Sequence, residues 1–159
     1  MSETRGRITL ERQDDAIVLA GAIDEAARLG ELLGLASGGR LTLDLAGITF
    51  INSLGVRDWI HLQTAALRAG ITLELRRVSE PLVHQLSMII ATRAASKVTS
   101  FFAPYACDSC GREDSLLIDA VAHAARLVHH EAPAMVCPEC GGAMAFNDFP
   151  ERYFSFLTG

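Results

Sequence analysis

Two Cys-x-x-Cys-Gly pairs constrain this 159-residue chain more than any other feature of it. The first is Cys107-Asp108-Ser109-Cys110-Gly111 and the second is Cys137-Pro138-Glu139-Cys140-Gly141, with 26 residues between Cys110 and Cys137. Two intervening residues let one tight turn present both thiolates to a single ion. A glycine after the second cysteine lets the backbone take positive φ, so that its amides point toward sulfur. Four thiolates complete a tetrahedral coordination sphere and leave no open position for water, which marks a structural site. The expectation is a zinc-ribbon module that holds one structural Zn²⁺ on Cys107, Cys110, Cys137 and Cys140. A redox Cys-x-x-Cys pair and a rubredoxin-like iron site use similar knuckles and are the alternatives.

The spacer is longer than the roughly 15–20 residues of the simplest four-cysteine pattern. It therefore predicts a hairpin with an insertion. Residues 115–119 form the outgoing strand, 120–130 the insertion and 132–137 the return. His123, His129 and His130 fall in the insertion and are spare ligand types, but the four cysteines already pair at ligand spacing.

Charge is divided unevenly along the chain. Residues 1–106 carry 11 basic and 11 acidic side chains, whereas residues 107–159 carry 3 basic and 8 acidic ones. The whole net charge of −5 sits in the cysteine-bearing segment. Nucleic-acid affinity rests mainly on lysine and arginine meeting phosphates, so this distribution argues against a nucleic-acid partner. No apolar run approaches the roughly 18 residues that a membrane helix needs, and the first fifteen residues lack a signal-peptide h-region. The expected location is cytoplasmic, without membrane insertion. Cysteines in a reducing compartment read as metal ligands before disulfides.

The first two thirds alternate β-like and helical texture. Strands are expected at 8–12, 15–24, 41–47, 71–78 and 97–105, with a hairpin turn at Gln13-Asp14-Asp15. Helices are expected at 25–36 with Asp24 as N-cap, at 54–69 ended by Gly70, and at 79–95 with Ser79 as N-cap. Residues 47–55 read as a loop. Strands separated by helical crossovers imply an α/β fold, a mixed sheet with helices packed on it. The expected division is 1–105 for this domain and 106–159 for the zinc module with an aromatic tail. On that division, metal chelation unfolds 107–159 and spares most of the first domain.

Within 8–105, a strand ending in Leu43-Asp44-Leu45 leads to the loop Phe50-Ile51-Asn52-Ser53-Leu54-Gly55, then a helix and a strand. This stretch resembles the STAS domain (sulfate transporter and anti-sigma factor antagonist), whose loop runs Phe-hydrophobic-Asp-Ser-x-Gly. The resemblance implies a non-catalytic, bacterial, protein-binding domain. Its partner-binding positions map to Asn52, Ser53, Leu54 and Gly55. It implies that Ser53 matches a serine phosphorylated by a partner kinase, in the manner of anti-sigma factor antagonists. The expected partners are a serine kinase or anti-sigma factor, or a larger assembly such as a transporter complex in which the chain is an adaptor subunit. Asn52 replaces the usual aspartate, keeping the turn but losing the charge. The plain reading of Ser53 is a helix cap.

His61 and His84 lie in helical segments with no nucleophile or carboxylate that the sequence places beside them, and no enzymatic role is expected. The tail concentrates Phe146, Phe149, Tyr153, Phe154 and Phe156. These rings either dock the small module on the first domain or form a patch for a partner or a second copy of the chain.

Overall fold

The computed structural model describes residues 2–157. Ten strands and four α-helices follow in the order β1 (Ser2–Arg5), β2 (Ile8–Gln13), β3 (Ala16–Ile23), β4 (Arg40–Ile51), α1 (Ser53–Ala69), β5 (Thr72–Arg76), α2 (Glu80–Met88), β6 (Ser96–Val98), β7 (Ser100–Cys107), β8 (Glu113–Asp119), α3 (Ala124–Leu127), β9 (Met135–Val136), β10 (Ala143–Phe146) and α4 (Pro150–Tyr153). They form two sheets, one of strand order β1-β2-β3-β4-β5-β6 and one of order β8-β7-β10-β9. The first is mixed: β1, β2 and β3 pair antiparallel, while β3 through β6 pair parallel. The second is antiparallel throughout. The α/β expectation with a mixed sheet and packed helices holds at this level. No helix among the described residues is long and apolar enough to cross a membrane.

Alternation sets the first sheet's core. Leu41, Leu43 and Leu45 of β4 and Leu73 and Leu75 of β5 point inward and are fully or almost fully buried. Over them lie Trp59, Leu62 and Ala66 of α1, spaced at three and four residues so that they share one helix face. The indole of Trp59 donates to the carbonyl of Thr92 at 2.7 Å. Gly70 ends α1 in the left-handed conformation (φ 69°), as its position predicts.

Several local expectations are corrected. Residues 25–36 do not form an α-helix; a 3-10 helix spans Leu29–Leu35. Gly30 and Gly34 weaken an α-helix here. The burial of Leu29 and Leu32, three apart, suits the tighter period. Asp24 closes a turn by accepting from the Ala26 amide at 3.0 Å, and the 3-10 helix takes its cap from afar, the Leu29 amide donating to Asp58 at 2.8 Å. The expected loop at 47–55 is largely strand, because β4 continues to Ile51 alongside β3. α2 is shorter than 79–95, giving way at Ile89 to a 3-10 helix at Ile90–Arg93. Ser79 holds the N-cap position, but its hydroxyl makes no cap hydrogen bond.

The expected strand at 97–105 divides in two. β6 closes the first sheet, the chain turns at Thr99, and β7 enters the second sheet as one of its two central strands. β7 runs to Cys107, so the expected boundary at 105/106 falls inside it. A parallel bridge between Val78 and Phe101 also ties β7 to the end of the first sheet's β5 segment. The buried side chains form one continuous cluster, from Ile8 to Phe156.

α2 lies between the two halves. Leu82, Val83 and Leu86 are buried, and the Ser87 hydroxyl donates to the Tyr153 carbonyl at 2.7 Å. Tyr153, Phe154 and Phe156 are buried against Phe101, with ring centroids 6.4, 6.0 and 5.1 Å away. Phe146 joins them through Tyr153 at 5.4 Å. Of the five tail aromatics four dock inward, and Phe149 stays exposed.

Candidate metal centre

Strand pairing brings the two cysteine pairs together. Cys107 is the last residue of β7, and its partner in register is Met144 of β10, the strand leaving the second pair. Cys137 follows directly on β9, which pairs with the other edge of β10. β10 is thus the common wall of both knuckles.

The two knuckles repeat one backbone pattern. The Cys107 amide donates to the Arg112 carbonyl at 2.7 Å, and the Cys137 amide to the Gly142 carbonyl at 2.8 Å. The Gly111 amide donates to the Cys107 carbonyl at 3.1 Å, and the Gly141 amide to the Cys137 carbonyl at 2.9 Å. Gly111 and Gly141 take φ of 75° and 72°, a region that disfavours other residues and makes each turn tight enough to gather two sulfurs.

The sulfurs of Cys107, Cys110, Cys137 and Cys140 lie within 4.8 Å of one another. The Cys107–Cys140 separation is 3.5 Å and the Cys110–Cys137 separation 3.7 Å. A tetrahedron with Zn–S bonds of about 2.3 Å has edges of about 3.8 Å, so the four thiols fit a single thiolate-bound ion. Amides point at sulfur as well: Cys110 N to Cys107 Sγ and Gly142 N to Cys140 Sγ are both 3.4 Å. The Cys110 amide leads the groups that hold the Cys107 thiol down at about 6. Cys110 is drawn down by the Arg112 amide, but the neighbouring thiols and burial outweigh it and push it up to about 12. One readily ionised thiol beside reluctant ones is what mutual repulsion produces, and a divalent cation relieves it.

Cys107 and Cys137 are buried and Cys110 and Cys140 exposed, so the ion would sit at the end of the second sheet, half roofed by protein. Arg112 spans the knuckles, reaching Asp114 at 3.0 Å and Glu139 at 2.8 Å. Both pairs are exposed and add little to stability. Among the described residues this is the only group of three or more histidine, cysteine or acidic side chains at ligating distance, and His123, His129 and His130 are not in it.

The ribbon's strand pairing is not the expected one. The strand at 115–119 appears as β8, but it pairs with β7, and the return strand β9 pairs with β10. The insertion at 120–130 holds α3, a single helical turn whose Leu127 is buried. It is anchored by Asp119, which accepts from the Val121 and Ala122 amides at 3.0 and 2.9 Å.

The residues around Ser53 occupy a different surface. The carboxamide oxygen of Asn52 accepts from the Gly55 amide at 2.7 Å, so Asn52 and not Ser53 caps α1. Ser53 is the first helical residue and is exposed. Gly55 is buried against β3, where a Cβ would lie 2.2 Å from the Ile23 carbonyl oxygen. Phe50 and Leu54 are 51 % and 47 % exposed on either side of Ser53. His61 is exposed two turns further along α1, and His84 of α2 packs edge-on to Tyr153 at 5.6 Å.

No protein-family model matches the chain, and no curated protein or solved structure matches it significantly.

Proposed function

We propose that this chain is a non-enzymatic, STAS-like regulatory protein of the bacterial cytosol, which binds a partner protein through the surface around Ser53 and carries one structural zinc ion on its four cysteines. The observation that carries the reading is the setting of Ser53. Ser53 is exposed at a helix start that Asn52 caps, and Phe50 and Leu54, near it in sequence, are exposed as well. Because Asn52 already supplies the cap, the Ser53 hydroxyl is free of that duty. A phosphate there would add nearly two negative charges to an exposed surface at the positive end of α1. That is enough to break one interface or to create another.

Zinc suits the centre because four thiolates satisfy a d¹⁰ ion that has no geometric preference of its own. It would contribute rigidity and no chemistry, since the coordination sphere is full.

The switch is tested by incubating the protein with host lysate and ATP and mapping phosphosites by mass spectrometry. The expected result is phosphate on Ser53, with Ser53→Asp altering partner capture and Ser53→Ala blocking the modification. No phosphate, with both variants behaving as wild type, rejects it. A second reading, a constitutive adaptor subunit of a transporter complex, draws on the neutral Asn52. Capture of an ATPase or permease, in place of a serine kinase, supports that one.

A further inference from the structure

A charge withdrawn from water is costly unless a group of opposite sign meets it. Among the described residues three arginines are half-buried, Arg5, Arg76 and Arg93. Arg5 is paired with Glu3 at 2.6 Å and Arg76 with Asp15 at 2.9 Å. Arg93, the last residue of the 3-10 helix Ile90–Arg93, has no such acid. Its Nη1 donates to the Leu86 carbonyl, while its Nε is buried without a hydrogen-bond partner. The unused edge of the guanidinium is therefore the one made of Nε and Nη2, which can hold a carboxylate through two parallel bonds.

Arg93 lines a cavity of about 270 Å³ together with Ser96 and Val98 of β6 and Phe156 and Leu157 of the tail. None of these five residues is acidic. Ser96 is held by the fully buried Gln63 of α1, whose carboxamide nitrogen donates to the Ser96 hydroxyl oxygen at 2.7 Å and whose carboxamide oxygen accepts from the Ala95 amide at 2.8 Å. With its oxygen accepting from Gln63, the Ser96 hydroxyl keeps its own proton to donate. Val98, Phe156 and Leu157 make the rest of the wall apolar. One unpaired cation, one spare hydroxyl donor and an apolar wall suit an anion that carries an apolar tail. We infer that the cavity between β6 and the tail binds a small monocarboxylate, its carboxylate on Arg93 and Ser96 and its carbon chain against Val98, Phe156 and Leu157. The volume lies just below the roughly 300–1,000 Å³ of drug-sized pockets and suits an acid of a few carbons. Because β6 closes the first sheet and the tail docks against β7, such a ligand would join the two halves of the molecule. The site shares no residue with the Ser53 surface or the cysteine knuckles, and the inference rests on neither reading.

The probe is hexanoate, titrated into the full chain, with hexanol and inorganic phosphate as controls. Trp59 is a built-in reporter, since its indole bonds the carbonyl of Thr92, the residue before Arg93. Hexanoate is expected to change Trp59 fluorescence saturably and to raise the melting temperature, because a ligand that binds only the folded chain stabilises it. Hexanol and phosphate should do neither at the same concentration. Arg93→Gln should weaken hexanoate binding at least about tenfold, and Ser96→Ala about threefold. Arg68→Gln, at an exposed arginine of α1, should leave it unchanged. Val98→Phe narrows the cavity and leaves the guanidinium in place; it should abolish binding, and it carries the test if Arg93→Gln fails to fold. Absence of a saturable response, an equal response to hexanol or phosphate, or wild-type affinity in folded Arg93→Gln or in Val98→Phe overturns the proposal.

Discussion

The phenol of Tyr153 donates a 2.6 Å hydrogen bond to the carbonyl of Phe102, 51 residues earlier in the chain. Through it the C-terminal tail is fastened across β7, with the Tyr153 ring only 1 % exposed. The bond and the ring make separable contributions. Tyr153→Phe keeps the ring and should cost about 1 kcal/mol. Tyr153→Ala empties a core site and should cost about 3–5 kcal/mol. Urea denaturation measures both, and equal losses would locate the stabilisation in the hydrogen bond alone.

Alkaline pH should loosen the same region. Burial holds the Tyr153 phenol well above the ordinary tyrosine range and raises Tyr105 to about 12. Both folded values exceed the unfolded one, so their contribution to stability is whole below about pH 10. It is lost as pH rises from there through 12. Melting temperature followed from pH 9 to 12 should fall, and Tyr105→Phe with Tyr153→Phe should flatten the slope. An unchanged slope in that double variant would assign the alkaline loss to other groups.

Gly55→Ala should destabilise the start of α1. The added Cβ would stand 2.2 Å from a backbone oxygen of Ile23 and 2.7 Å from its carbonyl carbon, neither of which moves without shifting β3. The expected loss is about 1–3 kcal/mol by thermal denaturation. A neutral result would mean that α1 and β3 sit further apart than described.

Trp59, the chain's single tryptophan, reports on the first sheet. Because α2 packs against β4 on one side and β7 and the tail on the other, the two sheets share a core. Removing the metal should therefore lower the urea midpoint read from Trp59 fluorescence. A midpoint unmoved by chelation would indicate two independent domains, divided near residue 105.

The cysteine knuckles were the most legible part of the chain, because ligand spacing and the glycine that follows are local requirements. The long periodic helix α1 and the alternating strands β2 to β5 were legible for the same reason. What escaped the sequence depends on distant partners. Asp58 caps a segment 29 residues away. β1 has too little apolar content to declare itself and exists by pairing with β2. The division of 97–105 between two sheets turns on Thr99, whose amide bonds back to Leu75 at 2.9 Å. Asn52 and Ser53 are both capable caps, and only the geometry assigns the work to Asn52.

One zinc ion held by the four cysteines at the end of the second sheet is the central proposal. Metal quantification with X-ray absorption on the purified protein tests it most directly. The account predicts one zinc per chain with four sulfur neighbours at about 2.3 Å, abolished by Cys107→Ser or Cys137→Ser. Iron, a disulfide, nitrogen or oxygen ligands, or a well-folded second sheet in protein stripped of metal would contradict it.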